Sequence, residues 1–225
     1  MANKITGCVF DLDGTLADTA PDITIALNKS LDEAGLRQVP LDTVKGMIGN
    51  GIPVLVRKAL SHVEAPADLV PDVVTSVLAY SRKYYFEKSS LMPGVKDCLE
   101  GLKKRGIPMS ICTNKDETVA EMLVSALRLN SYFNAIVGSQ PGLVKKPNPL
   151  MLKKAAAAIN SPLKTTMMIG DSEVDAATGI AASSVSVIIR GGYCDRPYRE
   201  LNVNHLLDSM EDLLDIIDNQ YLISS

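Results

Sequence analysis

The sequence ITGCVFDLDGTL at residues 5–16 runs from a mostly apolar stretch directly into two acidic residues and a glycine. Residues 5–10 suit a buried strand of a parallel sheet, because such strands are covered on both faces and need apolar side chains. Ligands of open α/β sheets bind beyond the carboxyl ends of the strands. Asp11 and Asp13 therefore stand where such a sheet would form its site.

Four further apolar runs predict strands that continue this sheet. They lie at residues 107–112, 135–137, 166–169 and 185–189. Helical periodicity separates the later runs and returns near the C-terminus, at residues 117–127, 149–159, 174–182 and 210–217. Strands that alternate with helices predict an α/β fold in which a parallel sheet has helices on both faces.

A long segment after the first strand interrupts this alternation. It carries only helical periodicity, at residues 23–34, 54–60 and 69–86. The sequence MPG at residues 92–94 marks the return to the core. We interpret the segment as a helical cap of residues 18–90 on a core formed by residues 1–17 and 91–225.

Composition excludes several classes of partner. The net charge of −3 gives no broad basic surface for nucleic acid, and no run of about 18 apolar residues is present to span a membrane. The N-terminus lacks a signal-peptide pattern, and the four cysteines form no CxxC pair. We expect a cytoplasmic protein with free thiols, a monomer or a homodimer.

Two pairs of acids follow predicted strands. Asp11 and Asp13 are two residues apart, which aims both carboxylates to one side, where at about 5 Å they would repel by about 3 kcal/mol. Asp171 and Asp175 are four apart and would share a helix face. The alternatives are a polar turn for the first pair, and for the second a helix N-cap at Asp171 and a solvated face at Asp175.

The negative charge of such a cluster has to be balanced by a cation. Four carboxylates and one lysine would leave a net charge near −3, and all-oxygen ligands favour Mg²⁺. Neither His62 nor His205 lies in a ligand motif, so we do not expect a zinc site.

Hydroxyl and amide groups follow the second predicted strand. The Thr113 hydroxyl and the Asn114 N–H could hold phosphoryl oxygens, although an ST-turn or a cap is the alternative for Thr113. Lys145 and Lys146 both precede Pro147, and spacing alone does not choose between them.

Four motifs, in this order, resemble those of phosphatases in the haloacid dehalogenase superfamily. They read FDLDGTL at residues 10–16, TN at 113–114, KPNP at 146–149 and GDSEVD at 170–175. The resemblance covers nearly the whole chain and selects Lys146 over Lys145. It implies a Rossmann-like parallel sheet with a small helical cap.

Within that superfamily the chain is most similar to phosphoglycolate phosphatases. The signs are DTAP at residues 18–21, IGNG at 48–51 and TNK at 113–115. This similarity implies a small phosphorylated metabolite as substrate, 2-phosphoglycolate in particular. In the cap loop, Gly49, Asn50 and Gly51 would contact it, with a plain helix–helix turn as the alternative.

The resemblance also implies a role for each motif residue. Asp11 would be the nucleophile, Asp13 the general acid and then the base, and Lys146 would offset charge on Asp11 and the phosphate. Thr113, Gly14, Thr15 and Asn114 would bind the phosphorylated substrate. The Asp11 carboxylate, the Asp13 backbone carbonyl and the Asp171 carboxylate would bind Mg²⁺, and Asp175 would support Asp171 or Lys146 from behind.

Three alternatives remain open at this point. The chain could hydrolyse another small phosphate ester or pyrophosphate, it could be a sugar phosphomutase, or it could be a catalytically silent binding module. Thr15 argues for hydrolysis, because related mutases often lack this threonine. Arg57 and Lys58 could attract a substrate carboxylate, or they could be solvated helix positions.

Overall fold

The computed structural model describes residues 4–83 and 86–221. Its strands are, in chain order, β1 (Gly7–Phe10), β2 (Ala17–Asp18), β3 (Ser90–Leu91), β4 (Met109–Asp116), β5 (Ala135–Ser139), β6 (Thr166–Gly170), β7 (Val185–Ile189) and β8 (His205–Leu207). Its α-helices are α1 (Ala20–Glu33), α2 (Leu41–Lys45), α3 (Ile52–His62), α4 (Val70–Lys83), α5 (Val95–Lys104), α6 (Glu117–Ala126), α7 (Leu150–Ala158), α8 (Glu173–Ala182) and α9 (Asp212–Ile216).

Strand β1 lies in the middle of a parallel sheet. The strand order is β5-β4-β1-β6-β7-β8, and Cys8 of β1 pairs with Met109 of β4 on one side and Met167 of β6 on the other. The chain builds outward from β1 in both directions, so the carboxyl end of β1 is a topological switch point where ligands bind. The predicted α/β fold with a parallel sheet is confirmed.

Alternate residues of the central strands face opposite layers of helices. Phe10 and Ile169 belong to the larger core cluster, which includes Leu99 of α5. Val9 belongs to a second cluster on the other face, with Leu152 of α7. All four β1 residues are buried, as the apolar run of the sequence predicts for a strand covered on both faces.

The predicted elements are confirmed, with ends that differ by at most four residues, as at β4, which ends at 116 instead of 112. Residues 84 and 85 of the helix predicted at 69–86 lie outside the described residues. Helices α2 and α5 and strands β2, β3 and β8 were not predicted. Strand β8 and helix α2 have three and five residues, too few for a periodic pattern.

The helices α1 to α4 pack around a hydrophobic cluster of their own, drawn from residues 23–80. At their edge β2 and β3 form a small antiparallel pair, in which Asp18 is the partner of Ser90. This separate cluster supports the predicted cap of residues 18–90, whose boundaries stay a prediction. Among residues 4–83 and 86–221, no helix has both the length and the apolar composition of a transmembrane span.

Candidate active site

The sheet brings the predicted motifs together at one edge. Asp11 follows β1, Thr113 lies within the last part of β4, and Asp171 follows β6. Lys146 joins them from the loop before α7. All four residues are buried. The spatial order β4-β1-β6 is what makes these neighbours, because the carboxyl ends of adjacent parallel strands meet at the same edge.

Lys146 links two carboxylates. Its Nζ lies 2.8 Å from Oδ1 of Asp11 and 2.7 Å from Oδ1 of Asp175, and its side chain is 1% exposed. Burial alone would lower the pKa of Lys146, but Asp11 and Asp175 together raise it above its ordinary value. Lys146 is therefore a buried cation beside Asp11, which is where the sequence places a charge-offsetting lysine.

One ammonium does not balance the buried acids around it. Burial raises the pKa of Asp11 to about 7, against the lowering effect of Lys146. Burial, together with the neighbouring Asp175 and Asp11, also raises the pKa of Asp171. One oxygen from each of Asp11, Asp171 and Asp175 lies within 4.8 Å of the others. This all-oxygen, electron-rich set fits a hard divalent cation.

Asp171 is oriented by two short hydrogen bonds. The Thr15 hydroxyl donates to Oδ1 and the Tyr193 backbone N–H donates to Oδ2, each over 2.6 Å. Asp171 is not the N-cap of α8, because that position belongs to Ser172. The alternative of a simple capping role for Asp171 is thus removed.

Asp175 sits behind this cluster. Its Oδ1 accepts from Lys146, and its Oδ2 accepts from the backbone N–H of Ser172 at 3.2 Å and from the Ser172 hydroxyl at 2.7 Å. The bond from the Ser172 N–H is part of a capping box at the start of α8. Asp175 is 1% exposed, so it is not on a solvated helix face. Both of its oxygens are engaged, which suits the supporting position predicted for it.

Asp13 is held by a different pair of groups. The Thr19 hydroxyl donates to Oδ1 of Asp13 over 2.6 Å, and Lys115 Nζ donates to the same oxygen over 2.9 Å. Asp13 and Asp11 line one pocket between the core and the cap. Both contacts use Oδ1, so Oδ2 remains able to exchange a proton with a group in the pocket.

Asn114 connects the lysine loop with the cap. Its Oδ1 accepts from the Lys146 N–H over 2.9 Å, and its Nδ2 donates to the carbonyl oxygens of Lys146 and Gly49 over 3.1 and 3.0 Å. The side chain thus uses its hydrogen bonds on backbone groups of the protein. The predicted contact of Asn114 with substrate stays a prediction.

The pocket above Asp11 is small and mostly apolar on its cap side. It encloses about 40 Å³, with walls from core and cap: Asp11, Asp13, Thr113, Asn114, Lys115, Ile23, Ile48, Gly49, Gly51, Ile52 and Leu55. At roughly 10–15 Å³ per molecule, this is room for about three waters. The enclosed space between the core and the cap is therefore small.

The remaining predicted contacts divide between this pocket and other places. Gly49 and Gly51 line it, whereas Asn50 is half-buried and is not part of its wall. Gly14 and Thr15 border a separate cavity instead, where Thr15 bonds to Asp171 and Gly14 lies beside it. Their predicted substrate contacts stay predictions.

The basic residues of α3 have other environments. Lys58 donates to the carbonyl oxygen of Gly46 over 2.9 Å and lies 3.7 Å from Asp195, and Arg57 is exposed. The solvated alternative therefore describes Arg57, whereas Lys58 is engaged within the protein, and neither residue lines the pocket. The histidines lie outside the acidic cluster: His62 ends α3, and Nε2 of His205 bonds to the Tyr221 hydroxyl.

Tyr193 is a site residue that the sequence reasoning missed. Its N–H holds Asp171, while its hydroxyl donates to Oδ1 of Asp18 over 2.5 Å and accepts from the N–H groups of Thr19 and Ala20. It thereby ties Asp171 to the start of α1. The signal was a glycine pair before a tyrosine directly after β7, at the same sheet edge as the acids.

Comparisons with known proteins agree with this geometry. The family model described as haloacid dehalogenase-like hydrolase matches residues 8–189. A phosphoglycolate phosphatase from Cereibacter sphaeroides is 36% identical over 213 residues, which cover 94% of this chain and 97% of that protein. Another, from Pseudomonas syringae pv. syringae, is 33% identical over 213 residues, which cover 92% of this chain and 77% of that protein.

A solved structure is similar over the same length. The crystal structure of a predicted phosphoglycolate phosphatase from Haemophilus somnus 129PT has a TM-score of 0.88 and 26% identity, and the match covers 94% of this chain and 97% of that one. Since the family match spans most of the sequence, and since the motif residues converge on one buried site, the chain belongs to the haloacid dehalogenase-like hydrolases and is a phosphatase of that type.

Proposed function

We propose that this phosphatase hydrolyses a small phosphomonoester, 2-phosphoglycolate in particular, through an aspartyl-phosphate on Asp11 and with the help of Mg²⁺. One observation carries the proposal: the buried Asp11 carboxylate lies beside both the Lys146 ammonium and the Asp171 carboxylate, and Asp11 also lines the pocket. A carboxylate in that position can reach a phosphorus atom while cations offset the charge of both partners.

The residues present fit a magnesium ion. The Asp11 and Asp171 carboxylates and the Asp13 backbone carbonyl would hold it, and the uncompensated acids around Lys146 give the site its negative charge. When bound, the ion would withdraw charge from the phosphoryl oxygens and so reduce their repulsion with Asp11. Asp175 would keep Lys146 in place through the 2.7 Å contact.

In the first step, a carboxylate oxygen of Asp11 forms a bond with phosphorus while the bond from phosphorus to the ester oxygen breaks. Asp13 gives its proton to the departing oxygen, which leaves as an alcohol. Lys146 and the Thr113 hydroxyl would hold the oxygens of the transferred group. Both side chains are buried, which strengthens their electrostatic effect.

In the second step, a water oxygen bonds to phosphorus as the bond between phosphorus and Asp11 breaks. Asp13 takes the proton of the water, which restores its starting form, and inorganic phosphate leaves with the Asp11 carboxylate regenerated. Thr19 keeps Asp13 in position throughout, because its hydroxyl bonds to the oxygen that does not exchange the proton.

Two observations favour 2-phosphoglycolate over larger esters. The pocket of about 40 Å³ leaves little room beyond the phosphate, whereas a sugar phosphate adds a whole ring. The relatives that match over nearly the whole chain carry the name phosphoglycolate phosphatase. Thr15, which bonds to Asp171 here, is the residue that argued from sequence for hydrolysis and against a mutase.

The helices α1 to α4 complete the site. We propose that residues 18–90 act as a cap that excludes water from the pocket, with Gly49 and Gly51 closing over the phosphate. The Asn114 bond to the Gly49 carbonyl would then connect the closed cap with the Lys146 loop.

A phosphate-release assay tests the proposed function. The purified protein should liberate phosphate from 2-phosphoglycolate faster than from hexose phosphates or pyrophosphate. EDTA should stop the reaction and added Mg²⁺ should restore it. Restoration by Zn²⁺ but not by Mg²⁺ would refute the choice of metal, and conversion of one sugar phosphate into another without free phosphate would favour a mutase.

A further inference from the structure

Lys115 is a lysine of the active-site pocket to which the phosphatase mechanism gives no role. Among the described residues that line the pocket, it is the one basic side chain. The cap contributes four apolar side chains to the wall, listed here: Ile23, Ile48, Ile52 and Leu55. The Lys115 side chain is 11% exposed, and its Nζ lies 2.9 Å from Oδ1 of Asp13.

Within the described lining of the pocket, the cap side has no other cation, and Nζ of Lys145 lies beside Gly51 but outside this lining. Lys146 is taken up by Asp11 and Asp175 at the phosphate end. Lys58 donates to the Gly46 carbonyl oxygen and forms an ion pair with Asp195, and Arg57 is exposed on α3. A substrate that carries a second negative group would therefore meet one positive side chain inside the pocket.

A carboxylate does not enter a small, largely apolar pocket without a partner, because its loss of hydration is costly. A lysine ammonium has three N–H donors. Lys115 can donate one of them to Asp13 and another to a substrate carboxylate. The contact with Asp13 also fixes where the ammonium lies, close to the proton-transfer group and hence close to the leaving group of the ester.

We propose that Lys115 is the specificity residue that selects phosphate esters with a carboxylate next to the esterified carbon. The inference rests on the proposed function and adds to it the side chain that recognises the substrate's second charge. Phosphorylated 2-hydroxy acids are the class of substrate that it fits. In this arrangement the substrate carboxylate contacts Lys115, and the phosphate lies beside Lys146.

A pair of matched substrates tests this assignment. 2-Phosphoglycolate and 2-hydroxyethyl phosphate differ mainly in that the first carries a carboxylate where the second has a neutral hydroxymethyl group. The wild-type protein should prefer the acid. In Lys115→Met, the ratio of the two kcat/KM values should fall by about 30-fold or more, since a buried charged partner is removed. The larger part of the fall should appear in KM for 2-phosphoglycolate.

Two further variants make the result specific. Lys115→Arg keeps the charge and should retain most of the preference for the acid. Lys145→Met is the matched control, because Lys145 lies against Gly51 but does not line the pocket, and it should leave the ratio of the two substrates unchanged.

Each contrary result has a distinct meaning. An equal loss for both substrates in Lys115→Met would show that Lys115 only positions Asp13, and the assignment would be overturned. The same follows if the wild type hydrolyses both esters equally well, although the proposed phosphatase function would stand. A wild-type protein that releases phosphate from neither ester would contradict the proposed function itself.

Discussion

A Cβ atom on Gly14 would lie 2.6 Å from Oδ2 of Asp171, closer than side-chain carbons approach oxygen atoms in proteins. Gly14 also has a φ of +86°, in the left-handed region that favours glycine. The glycine of the first motif therefore leaves room for the carboxylate that follows β6. Its position couples two motifs that are more than 150 residues apart in the sequence.

Gly14→Ala should impair magnesium binding. The added methyl group must displace Asp171, and we expect the Mg²⁺ concentration for half-maximal activity to rise about tenfold or more. Gly142→Ala is the matched control, because Gly142 has a φ of +81° with no atom near the new methyl group. Both variants should lose about 1–2 kcal/mol of stability from the left-handed backbone. Equal magnesium requirements in the two variants would contradict the proposed role of Asp171.

Tyr193→Phe should lower the stability of the protein without changing its magnesium binding. The lost hydroxyl leaves the N–H groups of Thr19 and Ala20 without this acceptor, at a cost of about 1–3 kcal/mol in the free energy of unfolding. The backbone bond from residue 193 to Asp171 is retained, so the magnesium requirement should not change. Urea unfolding and a Mg²⁺ titration of activity measure the two effects. A changed magnesium requirement together with unchanged stability would contradict this prediction.

Asp175→Asn should weaken both the fold and the reaction. The variant removes one of the two charges that stabilise the buried Lys146 ammonium, and we expect a loss of about 3 kcal/mol. Lys146 loses the contact that positions it, so kcat should fall more than KM changes. Asp97→Asn, an exposed acid in the first turn of α5, is the control. If chemical denaturation gave the two variants the same small effect, the supporting role of Asp175 would be wrong.

The raised pKa values of the buried acids predict how the stability of the metal-free protein depends on pH. Burial raises the pKa of Asp11 to about 7 and also raises that of Asp171, while an unfolded chain has carboxyls near about 3.9. A raised pKa in the folded state stabilises the protonated protein. This contribution is complete below the unfolded pKa and is lost as the pH rises through about 7.

Magnesium should therefore stabilise the protein more at about pH 7.5 than at about pH 5.5, because protons compete with the ion at the lower pH. Thermal unfolding with and without Mg²⁺ at both pH values measures this difference. An equal shift of the unfolding temperature at both values would argue against binding by Asp11 and Asp171.

Strong local patterns made most of the fold predictable. The strand before Asp11 is apolar because helices cover both of its faces, and Asp175 follows Ser172 at the spacing of a capping box. Helix α5 also carried a signal that was not used, since its buried residues Val95, Cys98, Leu99 and Leu102 have helical spacing. The three residues of β8 are too few for any pattern, and their neighbours in the sheet determine their conformation.

Contacts between distant segments were not predictable from the sequence. Nothing in the local pattern around Asn114 indicates that its amide bonds to Gly49 in the cap and to Lys146 in the core. The same holds for Tyr193, which follows β7 in the chain but contacts the start of α1. Such contacts depend on the order of strands in space, whereas a sequence gives only their order along the chain.

The most direct test is a crystal structure of the protein with Mg²⁺ and beryllium fluoride, a mimic of the phosphoryl group. We predict that beryllium is bonded to a carboxylate oxygen of Asp11, that Lys146 contacts the fluorides, and that one Mg²⁺ ion is bound by both Asp11 and Asp171. An adduct on Asp13 or another residue, or a metal ion that does not contact Asp11, would contradict the account.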